Sequence, residues 1–354
     1  MRTEYGNTLR TIDYLSSPRL NFLLPHSPMT SIFEKRLSYK PFDYSEITDP
    51  LINAMWASHW THNEFNFKSD VQDYFTSISE EERGIIKRAI LLISQVEVAV
   101  KSYWANIGQL LPKPEIADMG AVFGGVEVIH SRAYSEILTK LGLEDEFTTL
   151  LDHEFVNNRV QYLNKYVDKV YEDDRKQVLY SLILFTLFTE NVSLFSQFYT
   201  ILGFNRFKAV MKDTANVVQY TSKEENLHAE GGMALINQIR IEHPELFDDE
   251  LKARIADEAK EAMIAERRLI DWILQGFENE FLSDSILNNY LKNRVNISME
   301  RIGIDPQFDV NLDILKKTEW MDEEVYASAL SDFFHKKPID YTKNNKSFNA
   351  DELF

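Results

Sequence analysis

Apolar residues recur at helical spacing through most of the chain. The runs ILLISQVEVAVKSYW, SLILFTLFTENVSLFSQFYTIL and HAEGGMALINQI predict several long, largely buried helices. DDELKARIADEAKEAMIAERRLIDWILQGF repeats its apolar positions with the 3.6-residue period of an amphipathic helix. SDSILNNYLKNRVNISMERIG opens on a serine or aspartate start signal and closes on a glycine stop. Prolines punctuate this pattern. Pro18, Pro25, Pro28, Pro41 and Pro50 fall in the first part, Pro112 and Pro114 mark a break, and the next is Pro244. No strand-turn-strand pattern, glycine-rich phosphate loop or solenoid repeat stands out. The last stretch, HKKPIDYTKNNKSFNADELF, has no apolar period and reads as a mobile tail. The expectation is an all-α fold.

Composition narrows what such a fold can do. The 354 residues are 44% hydrophobic, enough for a large core, and 12 glycines with 10 prolines favour helix. A formal net charge of −18 argues against a nucleic-acid or anionic-membrane partner. The absence of cysteine excludes disulfides, thiolate metal ligands and a cysteine nucleophile, and agrees with a cytoplasmic location. MRTEYGNTLRTIDY lacks the apolar stretch of a signal peptide, so export is not expected. The apolar run VLYSLILFTLF stops at Thr189 and Glu190; it is read as a buried helix too short to cross a bilayer.

Acidic residues inside the apolar runs change the picture. In VEVIHSRAY, Glu127, His130 and Tyr134 fall on one side of a helix, because seven residues make nearly two turns. A second Glu-x-x-His, Glu225 and His228, lies in EENLH. Upstream of each, a lone carboxylate interrupts an apolar run: Glu97 before Glu127, and Glu190 before Glu225. Four carboxylates within apolar helices repel one another and are desolvated, so each needs a cation or a proton. Two divalent ions balance four carboxylates and two neutral imidazoles, and a carboxylate-rich set suits iron or manganese better than zinc. Helix bundles build such dinuclear sites from one glutamate on each of two helices and Glu-x-x-His on each of two others. Glu224, four before His228, rivals Glu225; the spacing that Glu127 and His130 share selects Glu225. His59, His62, His153 and His243 lack the repeated spacing and are read as ordinary.

VEVIHSRAY, FTENVSLFSQF and SKEENLH, in this order and spacing, resemble the radical-generating small subunit of class I ribonucleotide reductase. The resemblance runs from WASHW to the acidic C-terminus ending in phenylalanine. It implies a ferritin-like helical bundle with a dinuclear metal site between four core helices. Residues 31–330 would form that domain, residues 1–30 an N-terminal extended segment, and residues 331–354 a flexible tail docking on the large subunit. It further implies that Glu97, Glu127 and His130 hold one metal ion and Glu190, Glu225 and His228 the other, with carboxylates bridging. Tyr134 matches the radical-bearing tyrosine. Trp60 and Glu224 match residues of radical transfer, and Tyr341 is the tail candidate for its outer end. Leu194 and Phe198 are candidates for the apolar pocket around Tyr134.

The activity implied is that of an aerobic ribonucleotide reductase small subunit. The dimetal cluster activates dioxygen to make a stable radical, which passes to a large (alpha) subunit where a cysteine takes part in reducing ribonucleotides to deoxyribonucleotides. A chain without cysteine needs that partner. The resemblance also implies a homodimer and a di-iron cofactor, with manganese-iron or dimanganese left open. Two positions depart from many members, which carry aspartate where Glu97 and Glu224 stand; the extra methylene bears on bridging geometry at 97 and on the Trp60 to His130 link at 224. Gly124 and Gly125, just before Glu127, suggest either close helix packing or open space near a metal. The alternative reading is another ferritin-like dimetal carboxylate oxidase, either a ligand-binding oxidase or a hydroxylase.

Overall fold

A computed structural model describes residues 30–97 and 100–327, and all the regular secondary structure among them is helical. Apart from Thr30, the expected N-terminal segment 1–30 lies outside the described residues, as does the docking tail 331–354 with Tyr341.

The major helices are α1 (Ser45–Ala57), α2 (Glu80–Val96), α3 (Val100–Leu110), α4 (Pro114–Leu141), α5 (Glu154–Leu163), α6 (Asp174–Leu184), α7 (Phe195–Lys208), α8 (Lys212–Glu242), α9 (Asp249–Leu274) and α10 (Asp284–Arg301). Their ends follow local chemistry. Ser79 caps α2 by accepting from the Glu82 amide while the Glu82 side chain returns to the Ser79 amide, a capping box. Pro114 occupies the first turn of α4, where an amide proton has no intrahelical acceptor, and Gly142 ends that helix in the left-handed region. The expected start and stop of α10 are present: Ser283 accepts from the Ile286 amide, and Gly303 follows the last turn at φ +82°.

α2 packs on α4 and α7, and α8 packs on α4, α6 and α7, so these five helices share one interior. α9 closes the outside against α2, α5, α6 and α10. The interior faces are continuous apolar surface; in α2 alone Ile85, Ile86, Ile90, Leu92 and Ile93 are fully buried, each stabilising the fold by about 1.5–3 kcal/mol relative to exposure.

Two long helices expected from the apolar runs are interrupted. α2 ends at Val96 and α3 begins at Val100, so the break falls on Glu97. After α6 the chain forms a π-helical segment, Phe185–Glu190, and a turn over residues 191–194 before α7. Hydrophobic periodicity cannot register either break, because the apolar pattern of the sequence runs through both. Contrary to the expectation from VLYSLILFTLF, residues 174–208 are long and apolar enough to cross a membrane by length and composition, but their most apolar part is 94% buried inside the fold.

Gly124 serves close packing: a Cβ there would sit 3.2 Å from the Lys101 carbonyl and the Ala105 methyl of α3. Gly125 faces outward with open space around it, away from the buried interior.

Candidate metal centre

Glu127 and His130 project from one side of α4, Glu225 and His228 from one side of α8, and all four are fully buried. Glu97 comes from the break after α2, and Glu190 from the last residue of the π-helical segment. Single π-helical turns inserted between α-helices recur at functional sites because they re-aim a side chain that the regular period would misplace. Two groups of ligand atoms result: Glu97, Glu127, His130 and Glu225 in one, Glu127, Glu190, Glu225 and His228 in the other, the atoms of each lying within 4.8 Å of one another.

The two groups share Glu127 and Glu225. Glu127 Oε2 lies 3.2 Å from His130 Nδ1 and Oε1 lies 2.9 Å from His228 Nδ1. Glu225 does the same, Oε1 at 3.2 Å from His130 Nδ1 and Oε2 at 3.2 Å from His228 Nδ1. Glu97 Oε2 is 3.8 Å from His130 Nδ1, and Glu190 Oε2 is 3.6 Å from His228 Nδ1. Two carboxylates are therefore shared between the groups, each with one oxygen toward each imidazole, and one further carboxylate and one imidazole lie at each end. The resemblance implied two sets of three with carboxylates bridging; in the structure Glu127 and Glu225 are the shared pair because α4 faces α8.

Glu224 stands outside both groups. Its Oε2 accepts from Trp60 Nε1 at 3.0 Å and lies 2.7 Å from His130 Nε2. A carboxylate acceptor there places the imidazole proton on Nε2, which leaves the Nδ1 lone pair facing the carboxylates. Trp60 is buried, with its ring 6.3 Å from that of His130 and 5.4 Å from that of Tyr220. The methylene that distinguishes Glu224 from aspartate thus leaves the Trp60 to His130 link in place.

The unpaired atoms show what the cluster would accept. Both oxygens of Glu97, both of Glu127, Glu190 Oε2, Glu225 Oε1 and His130 Nδ1 are buried without a hydrogen-bond partner. Buried polar atoms are nearly always satisfied, and seven orphans facing one small volume is the pattern two divalent cations resolve. Titration behaviour agrees. Burial, with the charges of Glu127 and Glu225, holds Glu97 well above the usual carboxylate range; burial and Glu225 do the same to Glu190. Burial pushes His130 down, but the carboxylates of Glu127, Glu224 and Glu225 close around it outweigh that and hold the imidazole well up. Burial likewise opposes protonation of His228, and Glu127, Glu190 and Glu225 overcome it. Glu225 is driven below its usual range, since bonds from Glu190, His130 and His228 outweigh its burial. Protons hold together, without a metal, what cations would hold with one.

Tyr134 follows His130 by one turn and is 1% exposed. Burial raises its phenol well above the ordinary range, the charge of Glu97 adds to this, and Thr221 and His130 act in the opposite sense. Neither the Tyr134 nor the Thr221 hydroxyl has a hydrogen-bond partner of good geometry. Leu194 and Phe198 are both fully buried, in the turn before α7 and on α7.

Sequence reasoning missed Trp104. Its indole N–H donates to Glu190 Oε1 at 2.6 Å, and its ring lies 5.8 Å from His228 and 5.0 Å from Phe123. Its place seven residues, close to two turns, after Glu97 was the one signal available.

Comparison with known proteins bears on this geometry. The family described as ribonucleotide reductase, small chain, matches residues 36–317. A probable ribonucleoside-diphosphate reductase small subunit of invertebrate iridescent virus 3 is 26% identical over 331 residues, 89% of this chain and 87% of that one. The ribonucleoside-diphosphate reductase subunit beta of Halalkalibacterium halodurans is 23% identical over 310 residues, 86% of this chain and 88% of that one. Among solved structures, the ribonucleotide reductase R2 subunit from Clostridium botulinum superposes with a TM-score of 0.67 at 18% identity, covering 78% of this chain and 87% of that chain. An R2-like ligand-binding oxidase with a reconstituted Mn/Fe cofactor superposes at 0.64 with 16% identity, covering 75% and 96%. These likenesses establish a shared ferritin-like helical fold.

Proposed function

The chain belongs to the ribonucleotide reductase small-chain family, and from that membership we propose that Glu97, Glu127, His130, Glu190, Glu225 and His228 hold two metal ions that generate a radical on Tyr134. The observation that carries this is the pair of bridging carboxylates, Glu127 and Glu225, each with one oxygen toward each imidazole. An oxygen-rich set with one imidazole per ion suits iron or manganese, and we take a di-iron pair as the reading to test first, with manganese-iron and dimanganese as its alternatives. When bound, two redox-active ions supply the oxidising power drawn from dioxygen.

The residues around them do the rest. Glu224 fixes the His130 tautomer and the Trp60 N–H on one oxygen, so tryptophan, carboxylate and imidazole form a continuous buried link. Tyr134, held neutral by burial, loses an electron only together with its phenolic proton. Its burial keeps water and reductants from the oxidised ring. The chain contains no cysteine, so the reductive chemistry on a ribonucleotide belongs to a large subunit, which Trp60 and the tail with Tyr341 would serve.

Aerobic reconstitution should load two ions per chain and give a tyrosyl radical signal in electron paramagnetic resonance. Fewer than two ions, or two without a radical on any residue, would reject the assignment. A second reading rests on a cavity of about 180 Å³ lined by Leu92, Val96, Val100, Val156, Phe185 and Thr189, among others. A ligand-binding oxidase would hold an apolar ligand there, and mass spectrometry of extracted material would reveal it.

We also propose that a second copy of the chain covers the outer face of α4. Val128 on that face is 46% exposed, and Gly125, one turn before it, has open space where a side chain would stand. Val128→Glu should leave the thermal midpoint within a few degrees, since surface changes cost about 0.5 kcal/mol or less, yet shift the mass in light scattering from dimer to monomer. A variant that stays dimeric would move the interface elsewhere.

A further inference from the structure

We propose that Arg294 of α10 is a positioning residue for Glu190, gripping the turn that follows it so that the carboxylate is aimed at the ion nearer His228. This rests on the two-metal reading above. Glu190 is the last residue of the π-helical segment, and the regular ladder of backbone hydrogen bonds stops there: the next four residues form a turn, in which the Ser193 N–H still reaches back to the Phe188 carbonyl at 2.9 Å. Arg294 supplies what the ladder does not. Its Nε donates to the Asn191 backbone carbonyl at 2.8 Å and its Nη2 donates to the Asn191 side-chain carbonyl. The Asn191 side-chain amide donates to Ser298 Oγ, one turn along α10, and Ser298 Oγ donates back to the Arg294 carbonyl at 2.7 Å. At the far end of the turn, the guanidinium carbon lies 3.3 Å from the centre of the Phe195 ring, the first residue of α7. One planar cation thus holds both ends of the turn.

Arg294 is 4% exposed, and burying a guanidinium is costly enough that an apolar residue of similar size often serves stability as well or better. Its fork makes two bonds to a single residue, which is a geometric constraint that a flexible or apolar side chain lacks. From the other side, Trp104 Nε1 holds Glu190 Oε1, leaving Oε2 toward His228. Glu190 belongs to only one of the two ligand groups. Loosening the turn therefore has a signature that general destabilisation lacks: one ion weakens and the other does not.

The test is manganese(II) binding to the full chain, by calorimetry and chelator competition, for wild type, Arg294→Met, Arg294→Lys, Asn191→Ala and Glu190→Ala. Wild type should bind two ions; if it does not, the two-metal reading fails before this one is reached. Arg294→Met should weaken one ion by about 10–100-fold, the range typical of lost outer-shell partners, and leave the other within about twofold. Arg294→Lys, which keeps the charge without the fork, should fall closer to Met than to wild type. In the double variant with Glu190→Ala, the Arg294 change should add nothing, because both act on one ligand. Equal weakening of both ions, wild-type affinity for both, or additive losses in the double variant would overturn the proposal. Should Arg294→Met fail to fold, Asn191→Ala decides by the same criterion.

Discussion

Tyr134→Phe should abolish the tyrosyl radical signal and bring reductase activity with the large subunit to background, while the chain still binds two metal ions. The side chain is 1% exposed and its hydroxyl has no well-formed hydrogen bond. Removing that oxygen therefore leaves no buried partner unsatisfied, and stability should change by no more than about 1 kcal/mol. The phenol is also not a member of either ligand group, so metal stoichiometry should stay at the wild-type value. What is lost is a buried, oxidisable phenol placed a single turn after His130. Electron paramagnetic resonance, metal analysis and a turnover assay on the same preparation separate these effects. Full activity in the variant would sink the assignment of the radical to Tyr134 and place the oxidising equivalent on the metal pair itself.

Much of the fold and of the candidate site was legible in the sequence, and the exceptions share a cause. Helical period and end signals gave α4, α8, α9 and α10, whose caps and stops lie where Pro114, Ser283 and Gly303 suggest. Glu127, His130, Glu225 and His228 were legible because three-residue spacing on a regular helix fixes a common side. Glu97 and Glu190 were read as ligand candidates from their place as lone carboxylates inside apolar runs, without a helical spacing to fix where they point. The sequence could not show that the helix itself breaks at the first and turns π-helical at the second, since the apolar pattern is continuous through both. Contacts between distant elements were invisible for a different reason. Trp104 on Glu190 and Arg294 on Asn191 join residues 86 and 103 positions apart, and no local spacing encodes such a meeting. Between the rivals Glu224 and Glu225, the structure puts Glu225 among the clustered carboxylate and imidazole atoms and Glu224 behind His130, a difference that one-residue spacing does not display.

Removing the metal ions should reverse the way stability depends on pH, and Glu225→Ala should remove both ions at once. Glu97, Glu190, His130 and His228 all titrate above their ordinary values of 4.5 and 6.5 in the folded, metal-free chain. A group whose folded pKa is raised stabilises the fold fully below its unfolded pKa and loses that contribution as pH rises through the folded value. The metal-free protein should therefore lose stability as pH rises past the ordinary carboxyl value of 4.5, and more steeply once it passes the ordinary imidazole value of 6.5. Glu225 is lowered, so its contribution is complete above its ordinary value and adds no slope in this window. Metal binding needs these same groups deprotonated, so affinity rises with pH as proton competition falls. The gap in thermal midpoint between metal-loaded and metal-free protein should accordingly widen from pH 6 to pH 8, as differential scanning fluorimetry would show. A gap that stays constant or narrows would mean that the six groups do not bind metal as a unit. Glu225→Ala is the sharpest variant because this carboxylate is shared by both ligand groups. Both ions should weaken beyond the roughly 10–100-fold expected for an outer-shell change, whereas Glu190→Ala should weaken only one.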